Sequence, residues 1–169
     1  MKEIYIVGHE WEGTEQIDII RPFSYMKKDI NYYIDHVANV REKKIRDCDI
    51  LIIIRRIEPQ IIDFINLAKF YDKKTIFSLD DNFFAIPDNL GNVTDYYRDD
   101  KNINNLKKIL SLVDVVKVPS KSLEKICGIY NQNVIYSPYT IDTSLIKRKR
   151  LYNSFKAKKI RIGDRKSVV

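Results

Sequence analysis

Residues 74–84 have the sequence Lys-Thr-Ile-Phe-Ser-Leu-Asp-Asp-Asn-Phe-Phe, and the rest of the chain is organised around this stretch. Its first part, Thr75–Leu79, is short, uncharged and rich in β-branched and aromatic residues, which predicts a buried strand of a parallel sheet. The strand stops at Asp80 and Asp81, followed by Asn82. In open α/β sheets, ligands bind beyond the carboxyl ends of the strands, so the two acids predict a site. The alternative is a helix cap or a turn, where Asp and Asn are also common.

Strand and helix patterns alternate on both sides of this stretch, which predicts an α/β protein with a Rossmann-like doubly wound parallel sheet. The predicted strands are Glu3–Val7, Asn31–Val37, Ile50–Ile54, Thr75–Leu79, Val115–Val118 and Val134–Tyr136. The predicted helices are Phe23–Asp29 after Pro22, Asn39–Arg46, the stretch from Pro59 to Phe70, Asn102–Val113 and Ser122–Tyr130. Residues 85–99 are rich in turn-forming residues, and an irregular stretch of that length predicts a functional loop.

The charge of the chain is concentrated at one end. The net charge is +7, but residues 147–169 contain ten Lys or Arg and one acid, which leaves 20 basic and 22 acidic residues in residues 1–146. A nucleic-acid-binding surface needs basic groups on a folded face, so we expect no nucleic-acid partner. A basic run of this kind can contact an anionic membrane surface, although most such runs are only solvated.

Several common sites are missing from the sequence. Gly8 follows the first strand without a Gly-x-Gly-x-x-Gly pattern, and there is no Gly-Lys-Ser/Thr phosphate loop or Gly-x-Ser-x-Gly elbow. Only two histidines, His9 and His36, and two cysteines at no metal-ligand spacing are present. We therefore expect no metal and no bound cofactor. Reduced cysteines and the lack of a signal peptide or spanning helix predict a cytoplasmic location, with the inner face of the membrane as a further option.

The candidate site consists of residues that follow the predicted strands, because the carboxyl ends of parallel strands meet at one edge of a sheet. For the two arginines the alternative is an ion pair with the neighbouring acids, and for the serine it is a helix cap. The predicted substrate-binding residues are Gly8, His9, Arg55, Arg56, Asp80, Asp81, Asn82 and Ser120.

Four segments resemble the N-terminal domain of GT-B type glycosyltransferases, in the large retaining group related to family four. They are Asp49–Arg56 (Asp-Ile-Leu-Ile-Ile-Ile-Arg-Arg), Ile76–Phe84, Val113–Ser120 (Val-Asp-Val-Val-Lys-Val-Pro-Ser) and Val134–Asp142. The last one departs from the family pattern, since Tyr139 and Thr140 stand where Asn and Gly are usual. The order and spacing of the segments, which span most of residues 3–146, carry the resemblance.

The resemblance implies a function for residues 1–146 as the acceptor-binding domain of a glycosyltransferase. Such enzymes transfer a sugar from a nucleotide-sugar to a glycan or lipid-linked acceptor, here in cell-surface polysaccharide synthesis, and the donor binds a second domain. Residues 147–169 are expected to form a basic linker and the start of that domain. We expect a truncated gene product that is non-native from about Asp164, since codons GAT CGG AAG AGC GTC GTG would encode the last six residues and resemble a common sequencing-adapter read. Such a fragment alone is expected to be inactive.

Three functions of other classes stay open from the residues. A metal-dependent, single-domain glycosyltransferase also has acids at a strand end, usually as Asp-x-Asp. A phosphoacceptor receiver domain has a doubly wound sheet, but it needs an acid pair directly after the first strand, where this chain has Gly8 and His9. A non-catalytic interaction module of the same fold is the third.

Overall fold

The computed structural model of the chain describes residues 1–8, 13–88 and 91–140. These residues form one six-stranded sheet in which every pair of neighbours is parallel. The strands are β1 (Lys2–Val7), β2 (Ile30–Asp35), β3 (Ile50–Ile54), β4 (Lys74–Ser78), β5 (Val115–Val118) and β6 (Val134–Tyr136). All six overlap strands predicted from the sequence, so the α/β, doubly wound, Rossmann-like fold class is confirmed.

Helices connect the strands. They are α1 (Gly13–Glu15), α2 (Arg21–Ser24), α3 (Glu42–Asp47), α4 (Gln60–Phe70), α5 (Asn92–Arg98), α6 (Asp100–Leu112) and α7 (Lys121–Cys127). A π-helical turn, Gln16–Ile20, joins α1 to α2, and we call residues 13–24 the helical segment. Single 3₁₀ turns are formed by Val37–Asn39 and Phe83–Ala85.

The sheet has two apolar faces because successive side chains of a strand point to opposite sides. On one face, residues such as Leu51, Ile53 and Phe77 pack with buried residues of α3, α4, α6 and α7. On the other face, Ile52 and Ile54 pack with Ile19 of the helical segment. The central strands are therefore apolar on both faces, as the continuous apolar run of β3 predicts.

The strand order is β2-β1-β3-β4-β5-β6. The chain moves outward from β1 to β2 and then returns to the other side of β1 to form β3. This is the flavodoxin-like doubly wound order with one strand, β6, added beyond β5. The order reverses between β1 and β3, and ligands of such sheets bind at that position.

The helix predicted over Phe23–Asp29 is wrong in its position, since helical turns cover residues 13–24 instead. Packing of Ile19 and Phe23, four positions apart, against the sheet explains the shift. Pro22 lies in the first turn of α2, where a missing amide hydrogen is tolerated. The preceding amide, that of Arg21, still donates to the carbonyl of Gln16 and closes the π-helical turn.

Part of the stretch 85–99 is helical although its composition predicts a loop, because α5 covers Asn92–Arg98. The Thr94 hydroxyl donates to the Pro87 carbonyl at 2.6 Å, and Arg98 Nη2 donates to the Ile86 carbonyl at 3.1 Å. The Tyr97 ring packs on buried Phe83 with a centroid separation of 4.1 Å. The prediction of an irregular loop is therefore wrong for α5, and a functional role stays a prediction.

Two predictions fall on other parts of the chain. His9 and the basic residues from Lys147 lie outside the described residues, as does the end of the Val134–Asp142 segment. Within the described residues, no helix combines the length and the apolar character that crossing a membrane requires.

Candidate functional site

Strand β3 ends in an unusual backbone conformation at the position where the strand order reverses. Arg55 follows the last residue of the strand and has a φ of 58°, in the left-handed region that residues other than glycine rarely adopt. Its amide donates to the Ser78 carbonyl at 3.0 Å, which extends the β3–β4 ladder by one hydrogen bond. Such strained residues cluster at ligand sites, where the surrounding structure holds them in place.

The Arg55 guanidinium lies between the two carboxylates that follow β4. Its Nε is 3.0 Å from Asp80 Oδ1, and its Nη2 is 3.3 Å from Asp81 Oδ2. Burial opposes the charge of Arg55, but Asp80 and Asp81 outweigh that effect and raise the pKa of the guanidinium above its ordinary value. The guanidinium carbon also lies 5.7 Å from the centroid of the buried Phe83 ring. Arg55 is therefore a fixed cation, and the ion pair that the sequence left open is formed.

These charged side chains line a cavity of about 440 Å³, which we call the polar pocket. Its lining residues are Gly13, Ile17, Arg55, Asp80, Asp81 and Tyr139. Tyr139 is 42% exposed and contributes an aromatic ring to the wall. Burial raises the pKa of the Tyr139 hydroxyl, and the carboxylates of Asp80, Asp18 and Asp81 raise it further. The phenol is therefore neutral at physiological pH and available as a hydrogen-bond donor.

The charge balance of the polar pocket is negative. The Arg55 guanidinium faces the carboxylates of Asp80 and Asp81. The fully buried Glu15 also lies close enough to stabilise the charge of Arg55 and to raise its pKa. An additional anion such as a diphosphate would meet net repulsion here. A neutral polyhydroxyl ligand fits better, since carboxylates accept hydrogen bonds from hydroxyls while Arg55 donates.

Four other predicted site residues that the structure describes lie at the same edge but have structural contacts. Gly8 is buried at the end of β1, and its amide donates to the Asp35 carbonyl at 3.0 Å. Arg56 Nη1 lies 4.0 Å from Glu58 Oε1. The Asn82 side chain accepts from the Phe84 amide at 3.2 Å, and Ser120 Oγ accepts from the Leu123 amide at 3.2 Å. Asn82 and Ser120 are thus helix caps, which is the alternative that the sequence left open for both of them.

A second polar cluster, which the site prediction missed, joins the helical segment to the sheet. Asp18 is buried, with 4% of its side chain exposed, and forms an ion pair with Lys117 of β5. The Ser78 hydroxyl donates to Asp18 Oδ2 at 2.5 Å. The sequence does contain a signal for this cluster. Asp18 and Lys117 are lone charges within apolar runs, and buried charges in proteins are paired.

The arrangement of the acidic side chains bears on the metal-dependent alternative. Among residues 1–8, 13–88 and 91–140, no group of three or more His, Cys, Asp or Glu side chains is arranged to hold a metal ion. Arg55 also takes the position between Asp80 and Asp81 that a cation bridging the two would need.

Comparisons with known proteins add little to this description. Neither a protein-family profile nor a curated protein matches the sequence. A conserved protein from Enterococcus faecalis V583, known from a crystal structure, is similar with a TM-score of 0.33 and 13% identity over 81% of this chain and 92% of that one. A likeness at that level carries no inference about function.

Proposed function

We propose that this domain binds the acceptor in a glycosyl transfer from a nucleotide-sugar to a glycan or lipid-linked acceptor, in the synthesis of a cell-surface polysaccharide. The observation that carries the proposal is the polar pocket at the reversal of the strand order, with Arg55 held between Asp80 and Asp81. The resemblance of four sequence segments to the acceptor-binding domain of GT-B enzymes supplies the reaction class.

The chemistry of the polar pocket suits the acceptor better than the donor. A sugar presents hydroxyls that donate to Asp80 and Asp81, and the Tyr139 ring offers an apolar surface to the C–H face of a sugar ring. A nucleotide-sugar presents a diphosphate, which needs excess positive charge. The donor therefore belongs to a second domain of the kind that the resemblance implies, and Asp80 and Asp81 orient the acceptor hydroxyl towards it.

A cytoplasmic location follows as part of the same proposal, because nucleotide-sugars are cytosolic substrates. Residues 147–169 contain ten Lys or Arg and would favour contact with the anionic inner face of a membrane. A lipid-linked acceptor is available at that surface.

The experiment is an NMR titration of the ¹⁵N-labelled 169-residue chain with methyl glycosides of several hexoses and, separately, with UDP. We expect at least one methyl glycoside to shift the resonances of Arg55 and Asp81, and UDP to leave them unchanged. In Asp81→Asn the affinity for that glycoside falls about tenfold, equivalent to about 1.4 kcal/mol, because the carboxylate is a stronger acceptor than the amide.

The matched control is Asp47→Asn, which changes an exposed aspartate that pairs with Arg46 away from the polar pocket. Its affinity for the glycoside stays at the wild-type value. Saturable UDP binding at Arg55, or no response to any glycoside, overturns the proposal.

The strand order favours one second candidate, because receiver domains share the flavodoxin-like order. The residues at the strand ends count against this candidate. The residue after β3 is Arg55 and the residue after β1 is Gly8, so neither strand is followed directly by the acid that a receiver domain needs. Incubation with acetyl phosphate, followed by mass spectrometry under neutral and acidic conditions, tests this candidate. An acid-labile phosphoaspartate would support it, and an unmodified chain would exclude it.

A further inference from the structure

A second cavity, which we call the apolar cavity, lies between the helical segment and the sheet face that it covers. Its volume is about 310 Å³, within the range of small-ligand sites. Most of its lining is aliphatic or aromatic, and the residues that decide its character are Ile17, Ile19, Phe23, Ile52, Ile76 and Tyr139.

The cavity exists because the helical segment is narrow relative to the sheet. Ile6 and Ile54, which pack beside Ile19, are buried, whereas Ile76 on the adjacent strand β4 is only half-buried. Among the described residues, the core cluster on this face takes Ile19 and Phe23 from the helical segment and its other members from strands. Within residues 1–8, 13–88 and 91–140, an apolar surface beside β4 and β5 is therefore left uncovered.

The apolar cavity and the polar pocket lie side by side and share part of their lining. Ile17 and Tyr139 line both of them, and these residues are 45% and 42% exposed. A molecule that occupies the polar pocket can therefore extend past these two side chains into the apolar cavity.

The two charged groups that line the apolar cavity are bound to each other. Lys117 is paired with Asp18, and Asp18 also accepts the Ser78 hydroxyl. Because the charges of Asp18 and Lys117 neutralise each other, the cavity wall provides no net charge to bind a charged or strongly hydrated group. An alkyl or prenyl chain is the occupant that its aliphatic walls favour.

We propose that the acceptor is a neutral glycolipid, with its sugar in the polar pocket and its alkyl or prenyl chain in the apolar cavity. This inference rests on the proposed function and narrows it, since it selects a lipid-linked, uncharged acceptor over a free glycan. The negative charge balance of the polar pocket selects against a phosphate or diphosphate between sugar and chain.

The experiment compares matched pairs of glycosides, each a methyl and an octyl glycoside of the same hexose, below the micelle concentration of the octyl compound. Affinities are taken from NMR titrations of the whole 169-residue chain. We expect the octyl glycoside of a binding pair to bind at least about tenfold more tightly, because its chain leaves water for an apolar wall.

Two isoleucines provide a matched pair of variants. Ile76 lines the apolar cavity and Ile50 does not, although both are half-buried on the same face of neighbouring strands. In Ile76→Gln the advantage of the octyl over the methyl glycoside falls below threefold, and in Ile50→Gln it stays at the wild-type value. Ile17→Ser serves as a second variant if Ile76→Gln does not fold, because Ile17 is 45% exposed and its loss leaves the core intact.

The outcomes separate this inference from the proposed function. Equal affinity for methyl and octyl glycosides overturns the glycolipid inference and leaves acceptor binding standing. An octyl advantage that survives both Ile76→Gln and Ile17→Ser shows that the chain binds elsewhere and also overturns it. Binding of neither member of any pair overturns the proposed function itself.

Discussion

Strand β4 carries two hydroxyl side chains that bind carboxylates in contrasting ways. Near its amino end, Thr75 donates through its amide and its hydroxyl to Asp114 Oδ2, each at 2.8 Å. At its carboxyl end, Ser78 donates to Asp18 Oδ2 at 2.5 Å. Each carboxylate is also paired with a lysine.

The difference lies in what each carboxylate joins. Asp114 directly precedes β5, its side chain is 34% exposed, and it fixes the entry of one strand beside its neighbour. Asp18 belongs to the helical segment, is buried, and fixes that segment on the sheet beside the apolar cavity. The same type of hydrogen bond thus has a purely structural role at the amino end of β4. At the carboxyl end it also positions the helical segment that lines the candidate site.

The largest effect is expected from Asp18→Ala. The substitution leaves the Lys117 ammonium and the Ser78 hydroxyl without their acceptor in a mostly buried position, and breaking such a pair costs about 3 kcal/mol or more. Urea unfolding measures the loss. The double variant Asp18→Leu/Lys117→Met should recover most of it, because it removes both charges. A loss below about 1 kcal/mol in the single variant would mean that the pair does not hold the helical segment.

A smaller loss, about 2 kcal/mol, is expected from Asp114→Ala, because the Thr75 amide and hydroxyl lose a charged acceptor that is only partly buried. Glycoside affinity should not change, since Asp114 lies at the opposite end of β4 from the polar pocket. The control is Asp47→Ala, an exposed residue whose loss should cost less than about 0.5 kcal/mol. Reduced glycoside binding in Asp114→Ala would contradict the separation of the two ends.

The Asp114 contact should also make stability depend on pH. Burial alone would raise the pKa of Asp114, but the hydrogen bonds from the Thr75 hydroxyl and amide, together with Lys74, lower it below its ordinary value. A carboxyl with a lowered pKa in the folded state contributes stability above its unfolded pKa of about 4 and loses that contribution as the pH falls through the folded pKa. The free energy of unfolding of the wild type should therefore fall more steeply below about pH 4 than that of Asp114→Asn. Parallel pH profiles for the two proteins would exclude this contribution.

The contrast between Asp114 and Asp18 also explains how far the sequence predicts the structure. The strands were predictable because their apolar runs follow the requirements of a sheet that is buried on both faces. The meeting of Arg55 with Asp80 and Asp81 was predictable as well, since both groups follow carboxyl ends of neighbouring parallel strands.

The Asp18–Lys117 pair was harder to predict because its members are 99 positions apart in the chain. Local sequence preferences do not indicate which distant residue Asp18 will contact. That contact depends on where the helical segment packs, and its position is set by Ile19 and Phe23 packing on the sheet. The left-handed conformation of Arg55 was unpredictable for the same reason, since nothing local favours it in an arginine.

The smallest effect is expected from Gly8→Ala, which tests whether the carboxyl edge depends on close backbone approach or on charge. A Cβ atom at Gly8 would lie 3.5 Å from Ile54 Cβ and 3.6 Å from Glu15 Cγ, which are ordinary contacts, and Gly8 does not have a left-handed φ. We expect the free energy of unfolding to change by less than about 0.5 kcal/mol and glycoside affinity to stay constant. Gly91→Ala is the matched control, because its φ of +55° is strained for alanine and should cost about 1 kcal/mol. A loss of unfolding free energy in Gly8→Ala as large as that in Gly91→Ala, or a loss of glycoside binding, would contradict this expectation. Either result would show that the carboxyl edge of the sheet requires a glycine at this position. The lost binding would in addition support the predicted role of Gly8 in the site, together with the charged residues.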